Sequence, residues 1–433
     1  MIKLPDNHEQ RFELSNEVHA RPPEPLTAPA KVSCIALITD WPYREDDRRV
    51  VVDLTSRYGA TPPGQGVKHY SVDLRDFRLV WERHTEFTRY TFIVRGDEDD
   101  LFSSPAIDAA PPEWVAGLPG KLIVAANAAL VEGSEDVSDF TPFSERYFSG
   151  AALIGSHITG GAATALTDFR IHNDGASRFL IRNKSMSPWH AGRIVQRLLE
   201  IETYRIMALL ALPVAQRLSP NLSAWENDLS AVTAAMTRAG DAEEPKMLDR
   251  LTTLQAAIEL SHTQSQFRFN AAAAYYALVQ RRIEELREDR LTGMQTFREF
   301  TERRLAPAMG TCASAAARQA ALSERVERAA QLLSTRVDMS LERQNQAVLE
   351  SMNRRAELQL RLQQTVEGLS IAAITYYIVG VIGYMAKGLE KAGANLDAAI
   401  VMGASAPFVL ALSAFGVWRA RKLLHRREKE TDA

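Results

Sequence analysis

The chain has 433 residues, with 51 Lys and Arg against 54 Asp and Glu, for a net charge of −3. Hydrophobic residues at 46% and charged residues at 24% exclude a wholly disordered or collagen-like chain, and the absence of a basic excess argues against a dedicated nucleic-acid binder. The two cysteines, Cys34 and Cys312, cannot build a disulfide framework and suit a reducing compartment.

At about 150 residues per domain the length allows two or three structural units. Residues 1–30 are rich in Pro (Pro5, Pro22, Pro23, Pro25, Pro29), lack the apolar run of a secretory signal and read as an irregular segment. An α+β cytosolic domain is expected over residues 31–187. Val32–Thr39 is a short apolar, β-rich run that reads as a buried strand. Pro42–Tyr58 reads as a helix, with Pro42 in its first turn and Gly59 just past its end. Strand-like runs follow at Val67–Leu74, Phe77–His84, Phe87–Arg95, Leu122–Leu130 and Ala163–His172. The last is joined to Arg178–Arg182 by Asn173-Asp174-Gly175, a hairpin turn signal.

From Pro188 the texture turns helical. Residues 188–310 hold apolar residues at Ile194, Leu198, Ile201, Met207, Leu210 and Val214, a helical spacing, and further helices are expected at Asn221–Arg238 and Pro245–Arg290. Residues 311–368 contain no Pro, and no Gly before Gly368, so they predict one long stalk-like helix of about 85 Å at ~1.5 Å per residue. Val337, Leu341, Val348, Met352, Leu362, Val366 and Leu369 mark one face, but Gln344 and Arg355 interrupt it, so it is not a clean heptad. A helix that long needs a partner, within the chain or from another subunit.

Residues 369–386 and 398–418 carry no charge and are each long enough for a membrane span of ~20 residues. Gly380, Gly383, Gly403 and Pro407 are tolerated in bilayers, and Ala399 with Gly403 allows close helix approach. Ser370, Thr375, Tyr377, Gly380 and Tyr384 are expected to face a partner helix or a polar pathway rather than lipid. Arg354, Arg355 and Arg361 precede the first span, and Arg419, Arg421, Lys422, Arg426, Arg427 and Lys429 follow the second. The loop 387–397 has only Lys387 and Lys391, so the positive-inside rule places both termini in the cytoplasm, with the loop outside. The basic tail, 419–433, could also attract anionic headgroups.

Motifs with chemistry are sparse. Gly150–Ser156 has the spacing of a phosphate loop but no Lys, and neither a dinucleotide fingerprint, a nucleophile elbow nor an H-E-x-x-H motif occurs. Glu82, His84 and Glu86 alternate in an expected strand, which would project all three from one face as ligands for a transition metal or as a solvated face pairing with Arg. A divalent cation is the one cofactor these residues would admit. Cys312 at an expected helix start could have a lowered pKa but has no assigned His partner. Asp168, Arg170 and His172 would share a strand face, and Glu200 and Glu202 would form intrahelical ion pairs with Arg193, Arg197 and Arg205.

Five stretches stand out together: NEVHARPP (Asn16–Pro23), WERHTEFTRYTF (Trp81–Phe92), TDFRIHNDGASRFL (Thr167–Leu180), GRIVQRLLEIETYRIMALLALPVA (Gly192–Ala215) and LQLRLQQTVEGLSIAAITYY (Leu358–Tyr377). With them the chain resembles a bacterial family of uncharacterised membrane-anchored proteins, a domain of unknown function, over nearly its whole length. The layout is also similar to CorA-type magnesium channels: a cytosolic α/β domain, a long helix entering the first span, a short outer loop and a second span. That resemblance implies a homo-pentamer around a pore, but where such channels carry Gly-Met-Asn this chain has Gly383-Tyr384-Met385-Ala386. The expected function is therefore that of a non-enzymatic, homo-oligomeric protein of the bacterial inner membrane that passes or senses ions. The alternative is a membrane-tethered scaffold for a cytosolic protein, and an enzyme hidden in the cytosolic domain is the third reading.

Overall fold

In a computed structural model of the chain the backbone is described at residues 5–12, 14–15, 22–39, 44–96, 101–133, 137, 139–238, 240, 242–393 and 395–431. The NEVHARPP stretch from Asn16 to Arg21 and the expected helix start at Pro42 lie outside the described residues. So do the side chains of the basic tail beyond Arg419.

The described residues form an α+β region followed by long helices, as expected. Strand β1 spans Ala30–Ile38 and is followed by helix α1, Arg44–Arg57. Glu45, Asp46 and Asp47 in the first turn of α1 and Arg57 in its last match the helix dipole. Strands β2 (His69–Leu74), β3 (Phe77–Arg83) and β4 (Phe87–Arg95) come next. A 3₁₀ turn at Ala106–Ala109 and helix α2, Pro112–Ala116, lead to β5, Lys121–Glu132. Helix α3 (Thr141–Tyr147) precedes β6 (Ile154–Ile158), β7 (Ala163–Thr167) and β8 (Ser177–Asn183). Together with the two-residue β9, Asp289–Arg290, they make one sheet in the order β2-β3-β4-β1-β5-β8-β7-β6-β9. Its neighbours are antiparallel except β5 and β8, which run parallel.

Both faces of the sheet are used. On one, Ile35 and Leu37 of β1, Leu79 and Trp81 of β3, and Tyr90 and Phe92 of β4 bury against Val51 and Leu54 of α1 and Trp114 of α2. A second cluster on that face joins Ala129, Val131, Leu166 and Leu180 to Phe102, Phe140 and Phe148. The other face packs under helix α4, Pro188–Leu209, whose Ile194, Leu198 and Ile201 are buried at helical spacing. Gly192 of α4 is required there: a Cβ would lie 1.7 Å from the carbonyl oxygen of Glu24, in the segment whose Leu26 amide donates to Pro188.

Three expectations change. The strand expected over Ala163–His172 stops at Thr167, because Phe169 adopts φ +53° and the Asp168 carboxylate accepts from the Arg170 amide. Asp168, Arg170 and His172 therefore share a loop and not a strand face. Gly150–Ser156 leads into β6, which forms a hairpin with β7 through the positive-φ residues Thr159, Gly160 and Gly161. The helix expected to Arg290 ends at Leu286, where Arg287 turns left-handed and the chain adds β9 to the sheet edge.

Helix α5 spans Leu212–Met236, α6 spans Glu244–Leu286, α7 spans Phe297–Arg304 and α8 spans Ala306–Lys391. The expected continuation of the stalk into the first apolar stretch without a break is present, since α8 is a single helix of 86 residues. After a short connection α9 runs from Ala398 to Thr431. Two compact units emerge, Met1–Arg238 with Lys246–Ala330, and Ala239–Pro245 with Gln331–Ala433. In the first, α6 and the start of α8 run antiparallel: Ser265 Oγ and Ser261 Oγ bracket the Gln319 amide at 3.1 Å each, and Ser323 donates to Glu259 at 2.6 Å.

Candidate functional site

The expected metal face does not form. Strand β3 ends at Arg83, so only Glu82 of the three lies on a strand, and His84 and Glu86 occupy the turn into β4. Each acid is answered by an arginine. Glu82 accepts from Arg89 Nε at 2.6 Å, directly across the β3–β4 ladder, and Glu86 pairs with Arg268 of α6. The His84 ring stacks on Phe87 with centroids 4.3 Å apart. Among the described residues no three His, Cys, Asp or Glu side chains are placed to hold a metal ion.

Glu82 instead opens a buried ionic chain between the sheet and the helices. Arg89 lies 3.7 Å from Glu200 of α4. Glu200 pairs with Arg282 of α6 and accepts from Gln196 at 3.1 Å. Arg282 donates to Glu285 at 2.9 Å, and Arg197 of α4 meets the same carboxylate at 3.0 Å. Glu200 therefore reaches across elements, whereas Glu202 does make the expected intrahelical pair, with Arg205. Burial pushes the carboxyls of Glu82 and Glu285 up, but the guanidiniums of Arg89 for the first, and of Arg282 and Arg197 for the second, outweigh it and hold both below the usual range. Carboxylates locked in this way are poor bases. Burial also pushes the Cys34 thiol up to about 11, and it raises Cys312, which sits in the second turn of α8 and not at a helix start.

No acid/base constellation assembles from the remaining candidates. His172 Nε2 lies 3.1 Å from Asp168 Oδ2, beside Phe148. That pair follows β7, five strand steps from β3, a separation of about 24 Å at ~4.8 Å per step. Glu82 and His84 are out of its reach.

In the second unit the polar residues of the first apolar stretch are satisfied locally. Ser370 Oγ donates to the Val366 carbonyl at 2.8 Å, and Thr375 Oγ1 to that of Ile371 at 2.7 Å. Tyr377 and Tyr384 are exposed, and a side chain at Gly380 would meet nothing within 4 Å. Gly383 is the close approach, since a Cβ there would lie 2.5 Å from Met402 Sδ of α9. The C-terminal part of α8 and the start of α9 are each long and apolar enough to cross a membrane, and none of the most apolar stretch of α9 is buried.

The sheet face opposite α4 carries a cleft of about 580 Å³. It lies between the two apolar clusters of that face, where Ser33 pairs with Asn127 and Ile35 with Ala125 across the β1–β5 ladder. Ser33 Oγ donates to Asn127 Oδ1 at 2.7 Å. Phe102, Ile107, Val115 and Leu118 wall it, and the exposed Asp108 and Asp174 stand at its mouth.

The sequence profile of one family, described as "Protein of unknown function (DUF3422)", matches residues 6–424. The chain belongs to the DUF3422 family. The match takes in both units and both apolar helices of this DUF3422 protein, which makes them parts of one family architecture. No curated protein matches it. The cleft is the feature of the DUF3422 chain that residue patterns missed. Its signal is present in retrospect: Ser33 and Asn127 are buried polar residues within two largely apolar strands.

Proposed function

We propose that this chain is a non-enzymatic, two-span protein of the bacterial inner membrane. In this reading the α+β unit and both termini are cytoplasmic, and the spans tether a binding unit to the bilayer. The reading is carried by the uncovered apolar surface of the C-terminal helices, where Phe408 is 81% exposed and Leu412 is nearly as open. Surface of that extent on α8 and α9 needs lipid or protein to cover it. The non-enzymatic part is supported by the way arginines answer the buried acids. Cysteine mapping tests it, because the native thiols are buried. Ala392→Cys should react with a membrane-impermeant maleimide on spheroplasts, and Asp6→Cys only after permeabilisation. The reverse pattern removes the orientation, and release of the chain by alkaline carbonate removes the anchoring.

The unbroken helix α8 favours a second reading, a CorA-like homo-oligomer that passes or senses a divalent cation along an axis lined by Ser370, Thr375, Tyr377, Gly380 and Tyr384. Native mass spectrometry of the detergent-solubilised protein separates the two. Five subunits call for ion-flux assays, and a monomer or dimer removes the shared axis. A cytosolic partner recovered in stoichiometric amount belongs to the tethering reading.

A further inference from the structure

We infer that the cleft between β1 and β5 is a binding site for a small planar molecule without negative charge that presents a carbonyl acceptor. Three observations on this unit alone carry it, independently of any membrane. The first is space where a core is expected. Strands β1 and β5 lie in the middle of the sheet, yet at Ser33, Ala125 and Asn127 the side chains are too small or too polar to close the gap between the flanking clusters. A cleft of about 580 Å³ remains, within the ~300–1,000 Å³ usual for small-molecule sites.

The second is an unmet donor. Asn127 is only 7% exposed. Its Oδ1 is occupied by the Ser33 hydroxyl, and its Nδ2 has no hydrogen-bond partner among the described residues. That nitrogen is not among the fully buried unpaired atoms of the described residues, so it is a donor that opens into the cleft. At the floor of an open cleft such a donor faces solvent, and a ligand carbonyl can take the place of solvent while keeping a hydrogen bond.

The third is the charge of the wall. Among the described residues no Lys, Arg or His lines the cleft, and its charged residues are Asp108 and Asp174. Burial raises the Asp174 carboxyl, but hydrogen bonds from Arg178 and the Ala176 amide outweigh it and keep it ionised. A ligand phosphate or carboxylate would meet Asp108 and Asp174, while the neighbouring Arg178 is already engaged by Asp174 and the Tyr147 carbonyl. The apolar residues Ile35, Leu37, Phe102 and Ile107 instead suit a flat ring.

The test uses benzamide and benzoate as an isosteric pair, read by ligand-observed NMR on the full-length solubilised protein. Benzamide should bind saturably, and benzoate should not compete. Asn127→Asp keeps an acceptor for Ser33 but removes the donor, and Ala125→Phe fills the cleft from its half-exposed floor. Each should weaken benzamide by roughly tenfold or more, the loss of about one buried hydrogen bond or of the space itself. Melting midpoints check that the variants fold, and either variant alone suffices if the other does not. No saturable binding by the wild-type protein overturns the site. Benzoate binding as well as benzamide overturns the charge preference, and unchanged binding in a folded Ala125→Phe overturns the location.

Discussion

Helix α8 contains two stretches that are written alike and used differently. From Met309 through Cys312, Ala315, Gln319 and Leu322 to Val326, residues that are small or apolar except Gln319 recur every three or four positions, and all are buried. From Leu341 through Val348, Met352, Leu362 and Val366 to Leu369 apolar residues again fall on one face, with wider gaps at Gln344 and Arg355, and all are exposed. The first stripe is met within its unit by α5 and α6, through contacts such as Arg318 with Glu226 at 2.8 Å and Gln319 with Ser261 and Ser265. The second has no such cover in the described chain. Periodicity therefore reports that a helix face is meant to be covered, and leaves open what covers it.

The widest separation between the two stretches comes from one substitution made in each. Val326 is 0% exposed, so Val326→Asp places an ionised carboxylate among apolar neighbours at a cost of several kcal/mol, comparable to a large part of a domain's stability of ~5–15 kcal/mol. The expected outcome is little folded protein. Val348, at 57% exposure, should tolerate Asp with a stability change within about 0.5 kcal/mol. Melting of the solubilised protein checks both. Should Val348→Asp also lower the subunit count by native mass spectrometry, the second stripe is covered by further copies of the chain.

Charges sharpen the same contrast at a smaller scale. Glu82→Gln leaves the guanidinium of Arg89 buried with only Glu200 at 3.7 Å, and breaking a buried pair in this way should cost about 3 kcal/mol. Asp228→Asn, which opens the exposed Arg250 pair, should cost less than about 1 kcal/mol. The difference should depend on pH. The carboxyls of Glu82 and Glu285 are held below their ordinary 4.5 in the folded state, so their contribution is complete above that value and is lost as pH falls through the lowered folded values. Denaturant midpoints should therefore drop below about pH 4.5 in the wild-type protein and drop less steeply in Glu82→Gln. Equal acid sensitivity would place the acid-labile groups elsewhere.

These comparisons also show where sequence reasoning stops. The strand at Val32–Thr39, the switch to helices at Pro188 and the two apolar helices are local patterns, and each is present in the fold. Strand β6 was hidden because Gly155 and Ser156 resemble a loop, although Gly155 sits where a Cβ would meet Leu166. The alternation of Glu82, His84 and Glu86 suggested one face, but the strand ended after Arg83, and the arginines that answer the two acids come from β4 and α6, seven and 182 positions away. Pairings over such distances, and a cleft that exists because two strands place Ser33 beside Asn127, are properties of the sheet and leave almost no local trace.

The smallest effect expected concerns the hydroxyls of the first apolar stretch, and it decides between the two readings of that helix. In a pore, Ser370 and Thr375 would turn their oxygens to the ion path, and replacing them would change flux. In a tether they serve only their own helix, as their bonds to the carbonyls of Val366 and Ile371 suit. Such back-bonding relieves a hydroxyl of any need for a partner helix, and even interhelical hydrogen bonds in membranes average only about 0.6 kcal/mol. Ser370→Ala and Thr375→Ala should thus each shift stability by less than about 0.5 kcal/mol, with subunit count unchanged. Gly383→Val supplies the control, because its new atoms must displace Met402 and so report whether the α8–α9 contact is sensed in the assay at all. Silent hydroxyl variants beside a destabilised Gly383→Val fit a pair of spans that close on each other, and the opposite ranking would move the polar groups to an axis shared between subunits.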